Sequence, residues 1–129
     1  MKAYTSLEQS KKLAEILPIE SADMYYQAYY DSKNNLRYIP RFSSTFIPFK
    51  VDIPAWNLAT LLDLLPNNEH IATTISRGSW KIDTVEYLPN TWWCEYEDTE
   101  NQTEFNISAD NPVDACVEMI IKLNELKML

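Results

Sequence analysis

Apolar positions near the end of the chain fall three and four residues apart. Val113, Cys116, Val117, Ile120, Ile121 and Leu123 share one side of a helical wheel, while Asp114, Glu118, Lys122 and Glu125 occupy the other. Ahead of them Asn111 is a good N-cap, Pro112 suits the first helical position, and Asp114 brings a negative charge to the unpaired N–H groups of the first turn. The pattern predicts an amphipathic core helix from Asn111 towards Leu129. The same grammar appears twice earlier. Thr5-Ser6-Leu7-Glu8 matches a capping box, Leu7, Leu13, Ala14, Ile16 and Leu17 follow, and Pro18 is the stop, which predicts a helix from about Ser6 to Leu17. Ile53 to Pro66 predicts a second buried helix, with Pro54 at a first helical position and Pro66 ending it.

Elsewhere the period drops to two. Met24–Tyr30 is dense in aromatics, Asp31-Ser32-Lys33-Asn34-Asn35 is a turn cluster, and Leu36–Ile39 is extended again, so a β-hairpin is predicted. Alternation puts Met24, Tyr26, Ala28 and Tyr30 on one face and Tyr25, Gln27 and Tyr29 on the other, leaving some tyrosines exposed. Residues 40–53, with Pro40 and Pro48, have no clean period and are expected to form a loop, with room for one extended piece. From His70 onward, strands are predicted at His70–Ile75, Trp80–Tyr87, Trp92–Glu97 and Thr103–Ser108, separated by Arg77-Gly78, Leu88-Pro89-Asn90 and Asp98–Gln102. Trp92, Cys94 and Tyr96 alternate with Trp93, Glu95 and Glu97, and Phe105 and Ile107 with Glu104 and Asn106. One face is wet, and the other needs the helix at Pro112 as its cover. The order α-β-β-α-β-β-β(-β)-α predicts a single α+β domain over residues 1–129, a mostly antiparallel sheet packed against about three helices.

Composition agrees: 46% hydrophobic and 23% charged residues suit one globular domain with an ordinary core. The first residues lack an apolar signal region, and no apolar run approaches the roughly 18 residues of a membrane helix. A soluble, cytoplasmic protein with no membrane partner is expected. Cys94 and Cys116 lie in apolar-patterned segments and are expected to be free thiols, with a bridge between them as the minor alternative. The sequons at Asn101 and Asn106 have no consequence in that compartment.

Charge changes the picture more. The net of −8 is uneven: residues 1–82 carry nine Lys or Arg against eight Asp or Glu, and residues 83–129 carry two against eleven. Binding DNA or RNA depends on neutralising phosphates with Lys and Arg, so no direct nucleic-acid binding is expected. The acidic second part suits a basic partner, or simply keeps a small protein soluble.

Candidate chemistry is mostly excluded. Gly78 is the only glycine, so neither a P-loop nor a dinucleotide-binding turn is present. His70 is the only histidine, which removes multi-histidine metal sites, and it reads as a surface residue. Asp98–Glu104 has alternating carboxylates but lacks the glycine and ligand spacing of a calcium loop, so it reads as a solvated hairpin turn. No pair of its 19 acids is singled out as glycosidase carboxylates. Tyr25, Tyr29 and Trp93 suit an aromatic platform for a sugar or peptide, or ordinary cross-strand packing. No catalytic, cofactor-binding or metal-ligating residue is assigned, and no cofactor is expected.

Three stretches carry a resemblance. Lys2–Pro18 with Glu20–Met24, Pro54–Leu62, and Ser108–Ile120 together cover roughly half the chain. They resemble small proteins without an assigned activity encoded in prophages and mobile elements of Bacteroides-type gut bacteria. The resemblance implies a context, a small cytosolic protein made from a mobile element, and brings no site residues.

Two functional classes remain. The first is a non-enzymatic interaction module presenting Trp93, Glu95, Glu97, Asp98, Glu100 and Glu104 to a basic host or phage protein, in its sharpest form as a mimic of nucleic-acid charge. The second is a small ligand-binding or enzymatic domain with its site at the aromatic hairpin 24–39 or loop 40–53. An exposed strand edge or the aromatic loop also offers two copies a way to pair, and the sequence leaves that choice open.

Overall fold

A computed structural model of the chain describes residues 2–42, 52–81 and 86–129. The central part of loop 40–53, and the middle of the strand predicted at Trp80–Tyr87, lie outside the described residues.

Helix α1 spans Leu7–Ala14 and is capped one residue later than the sequence suggests. Ser6 Oγ accepts the Gln9 N–H at 3.2 Å, and Gln9 Oε1 accepts the Ser6 N–H at 3.0 Å, so the box is Ser6–Gln9 rather than Thr5–Glu8. Thr5 goes to the core instead. It is fully buried; its carbonyl accepts the Tyr26 hydroxyl at 2.7 Å, its Oγ1 accepts the Trp56 N–H at 3.2 Å, and it shares a 2.8 Å bond with Ser10 Oγ. Each group would be costly to bury alone, and here each has a partner.

After a short 3₁₀ turn at Ile19–Ser21, strands β1 (Met24–Tyr30) and β2 (Leu36–Phe42) form the predicted hairpin. A third strand, β3 (Ile53–Ala55), joins the other side of β1 to give the order β2-β1-β3. This corrects the helix start expected at Pro54. Proline is tolerated on a short outer strand, where no ladder N–H is required of it. Helix α2 begins later, at Leu58–Leu64, with Asn57 Oδ1 accepting the Thr60 N–H at 2.9 Å. Trp56, fully buried between β3 and α2, donates its indole N–H to Ser21 Oγ at 3.0 Å.

The second sheet has the order β4-β5-β6, all antiparallel: β4 is Ile71–Lys81, β5 Glu86–Asp98 and β6 Thr103–Ala109. Three or four strands are expected here, and three form; the turn signals at Arg77-Gly78 and Leu88-Pro89-Asn90, which suggest the ends of short strands, lie inside long ones. Arg77 pairs with Trp92 and Ser79 with Leu88, so Gly78 stands opposite the three residues 89–91. The two apparent turns are the two sides of one bulge. Gly78 supplies a φ of 87°, Pro89 needs no ladder donor, and the Arg77 Nε donates to the Pro89 carbonyl at 3.0 Å.

Helix α3, Pro112–Glu125, forms as read. Asn111 Oδ1 accepts the Asp114 N–H at 2.9 Å, and Asp114 accepts Lys2 Nζ at 2.8 Å and Gln9 Nε2 at 2.7 Å, fastening the N-terminal segment to the last helix. The helix is buried on more than one side, because Ala115 and Met119 join the predicted apolar stripe. It packs on the inner face of β5 and β6 and against α1 and α2. Fully buried aliphatic side chains contribute about 1.5–3 kcal/mol each, which makes α3 the main organiser of the core. Together the elements make an α+β fold with two antiparallel three-stranded sheets. Among the described residues, no helix is long and apolar enough to cross a membrane.

Candidate functional site

The register of the second sheet sorts its residues by face. Inward are Ile71, Thr73 and Ile75 on β4, Cys94, Tyr96 and Asp98 on β5, and Phe105 and Ile107 on β6. Tyr96 and Phe105 stack with centroids 4.9 Å apart, and Lys122 of α3 lies over the Phe105 ring. Outward lie three cross-strand rows: Ser76–Trp93–Ser108, Thr74–Glu95–Asn106 and Ala72–Glu97–Glu104. Apart from half-buried Trp93, every one of these side chains is exposed, and no lysine or arginine occurs in the rows.

This arrangement brings most of the predicted face together. Glu95 and Glu97 project from β5, and Glu104 stands directly opposite Glu97. Like charges directly opposite on neighbouring strands repel, so this placement works against the sheet that carries it. Trp93 anchors the other end of the face. Its indole Nε1 is buried without a hydrogen-bond acceptor among the described residues, and a buried unpaired donor costs about 1–3 kcal/mol.

Asp98 does not share this surface. It turns inward to shape the β5–β6 turn, only 4% exposed, its Oδ1 accepting the N–H groups of Glu100 at 3.0 Å and Asn101 at 3.2 Å and its Oδ2 accepting Asn101 Nδ2 at 2.8 Å. The Asn101 side chain and then its backbone N–H hold the carboxyl below the ordinary aspartate range, with His70 acting in the same direction. The Asp98-Thr99-Glu100-Asn101 order is an Asx-turn signature that was legible in the sequence. Glu100 remains exposed at the turn, beside the open face.

The second candidate region is the β1–β2 hairpin. Its outward face carries Tyr25, Gln27 and Tyr29 opposite Arg41, Ile39 and Arg37. Arg41 Nε donates to Gln27 Oε1 and Arg37 Nε to Asp31 Oδ2, each at 3.0 Å. Towards the tip both faces are open: Tyr29 and Ile39 are exposed on one side, Tyr30 (68% exposed) and Leu36 on the other. The period-two pattern predicts exposed tyrosines but not that the tip leaves both faces in solvent. Residues 43–51 of the adjoining loop lie outside the described residues. Asp52, at its end, accepts the Ala28 N–H at 3.1 Å.

Other features carry less chemistry. A groove of about 500 Å³ between α1 and α3 is open and lined by side chains of both signs, Glu8, Lys11, Lys12, Glu15 and Glu118 among them. Cys94 and Cys116 are free, fully buried and in contact; the hydrogen bond between them, then burial, pushes the Cys116 thiol far above its ordinary range, which suits an inert core residue rather than a nucleophile. His70 is exposed beside Glu69. No group of three or more metal-binding side chains occurs among the described residues. Compared with family models, curated proteins and solved structures, the chain matches none.

Proposed function

We propose that this chain is a small non-enzymatic interaction module, of the prophage or mobile-element kind its sequence resembles, that docks a basic host or phage protein on the outer face of β4–β5–β6. The observation that carries this reading is the Glu97–Glu104 pair, like charges held opposite one another on an uncovered sheet face with no basic residue in the rows. A cationic side chain placed between them relieves the repulsion and gains charge-assisted hydrogen bonds. Glu95 and Glu100 extend the negative field, which steers a basic partner towards the face, and Trp93 supplies a large aromatic contact. In its sharpest form the face stands in for nucleic-acid phosphates and occupies a nucleic-acid-binding protein. Asp98 serves this surface by fixing the turn rather than by contact.

The test is affinity capture from host lysate at low and moderate salt, with lysine-to-carboxylate crosslinking to map the contact. The control is Glu95, Glu97, Glu100 and Glu104 replaced together by Gln. The expected result is a basic protein retained at low salt, lost with salt or with the variant, and crosslinked to these glutamates. Equal retention by the variant, or crosslinks elsewhere, rejects this surface as the docking site.

A further inference from the structure

Of the exposed large apolar side chains among the described residues, Tyr29 and Ile39 lie on the outward face of the β1–β2 hairpin, Tyr30, Leu36 and Phe42 on its other face, and Ile19, Leu126 and Leu129 elsewhere. The hairpin is also basic where the second sheet is acidic. Arg37, Ile39 and Arg41 alternate on one face of β2, and Lys33 stands in the turn. Among the described residues, Arg37 and Arg41 each use one of the guanidinium's five N–H donors, on Asp31 and Gln27.

The spacing matches too. Arg37 and Arg41 are four residues apart on one strand face, about 13 Å. Trp93 and Glu97 are four apart on the outer face of β5, the same distance, with Glu104 beside Glu97. Among the described residues nothing covers either surface, since Arg37, Ile39, Arg41, Glu95, Glu97 and Glu104 are all exposed.

We propose that the two surfaces meet between copies of this chain, the hairpin of one lying across the outer face of β4–β5–β6 of the next. This rests on the reading of that face as a docking surface, and it names a second copy as the basic partner. One arginine enters between Glu97 and Glu104, the other lies against the Trp93 ring, and Ile39 and Tyr29 cover the sheet between them. Because the hairpin and the sheet face are different patches, the contact is heterologous: each bound copy still offers one free hairpin and one free face, and assembly proceeds to a ring or a chain.

Sedimentation velocity on the purified protein tests this. The wild type sediments faster as its concentration rises at low salt, and returns to monomer in about 1 M salt, where the Debye length is about 3 Å. R37Q/R41Q, which lacks a working hairpin, and E95Q/E97Q/E104Q, which lacks a working face, each remain monomeric alone. Mixed, they pair one to one and stop, since only one complementary contact is left. Cooperative thermal melting of both variants, at or above the wild-type temperature for the glutamate variant, shows that they fold. A wild type that stays monomeric at every concentration, or variants that assemble like the wild type, overturns the proposal. If the wild type stays monomeric while the glutamate variant still loses a captured basic protein, the face is a docking surface for another molecule and only the self-association falls.

Discussion

Replacing Glu97 by Gln should stabilise the fold. Glu97 and Glu104 face each other across β5 and β6, and directly opposed Cβ atoms lie about 4.5–5.5 Å apart. Both side chains are exposed, and at a carboxylate separation of about 6–8 Å two unit charges in water repel by about 0.5–0.7 kcal/mol. The amide keeps the shape and removes the charge, for an expected gain of about 0.3–0.7 kcal/mol once residual screening is allowed for. Urea denaturation at low salt, followed by circular dichroism, should show the midpoint rising with an unchanged slope. In about 1 M salt the gain should shrink towards zero, and Glu104→Gln added to Glu97→Gln should contribute little more, because one neutralisation already ends the repulsion. Loss of stability, or a gain that survives high salt, would refute the argument that this pair strains the sheet. The same substitution is expected to weaken partner capture, the usual exchange of stability for function at a binding surface.

Three further outcomes follow from the core and the charges. Thr5→Val keeps the shape but leaves the Trp56 N–H without its acceptor, so a loss of about 1–3 kcal/mol is expected by urea denaturation, whereas Thr5→Ser retains the bond and loses only the methyl contacts. Cys94 and Cys116 should be unreactive to a thiol reagent such as Ellman's in the native state and react fully once urea unfolds the chain; rapid native labelling would contradict their burial. Stability should fall at the acid end. Burial pushes the Asp114 carboxyl up, but hydrogen bonds from Lys2, Gln9 and Asn111 outweigh it and hold the group below its ordinary value. A lowered folded-state pKa gives stability that is complete above the unfolded value near 4 and is lost as pH falls through the lower folded value. Asp114→Asn should therefore flatten the decline of melting temperature with acid, and an unaltered slope would count against the Lys2–Gln9–Asp114 cluster.

How far the sequence could be read depended on whether a signal was local. The α3 helix was legible to its cap because Asn111, Pro112 and Asp114 act on their own neighbours, and the alternation of Trp92–Glu97 and Phe105–Ile107 placed the acidic side chains outward. Thr5-Ser6 offered two adjacent cap residues, and the choice fell to Ser6 because Thr5 was needed by Trp56, a partner far along the chain. Gly78 and Pro89 each carry a breaker signal, and only the pairing of β4 with β5 shows that they oppose one another in a bulge rather than end two strands. Pro54 suited a helix start until β1 supplied a strand for it to join. The candidate face was readable as a set of outward carboxylates, except that Asp98 belonged to its turn.

The bond from Lys2 to Asp114 spans 112 positions and the bond from Thr5 to Trp56 spans 51. Contacts this remote are closed only after most of the chain's freedom has been surrendered, and the helix they help seat, α3, comes after every strand it covers. Refolding should therefore be governed by a late barrier, in the millisecond-to-second range of domains rich in non-local pairing. Until α3 docks, the inner face of β4–β5–β6 stays open to solvent and to neighbouring chains, so the same helix that organises the finished core also sets the time during which the chain is prone to aggregate.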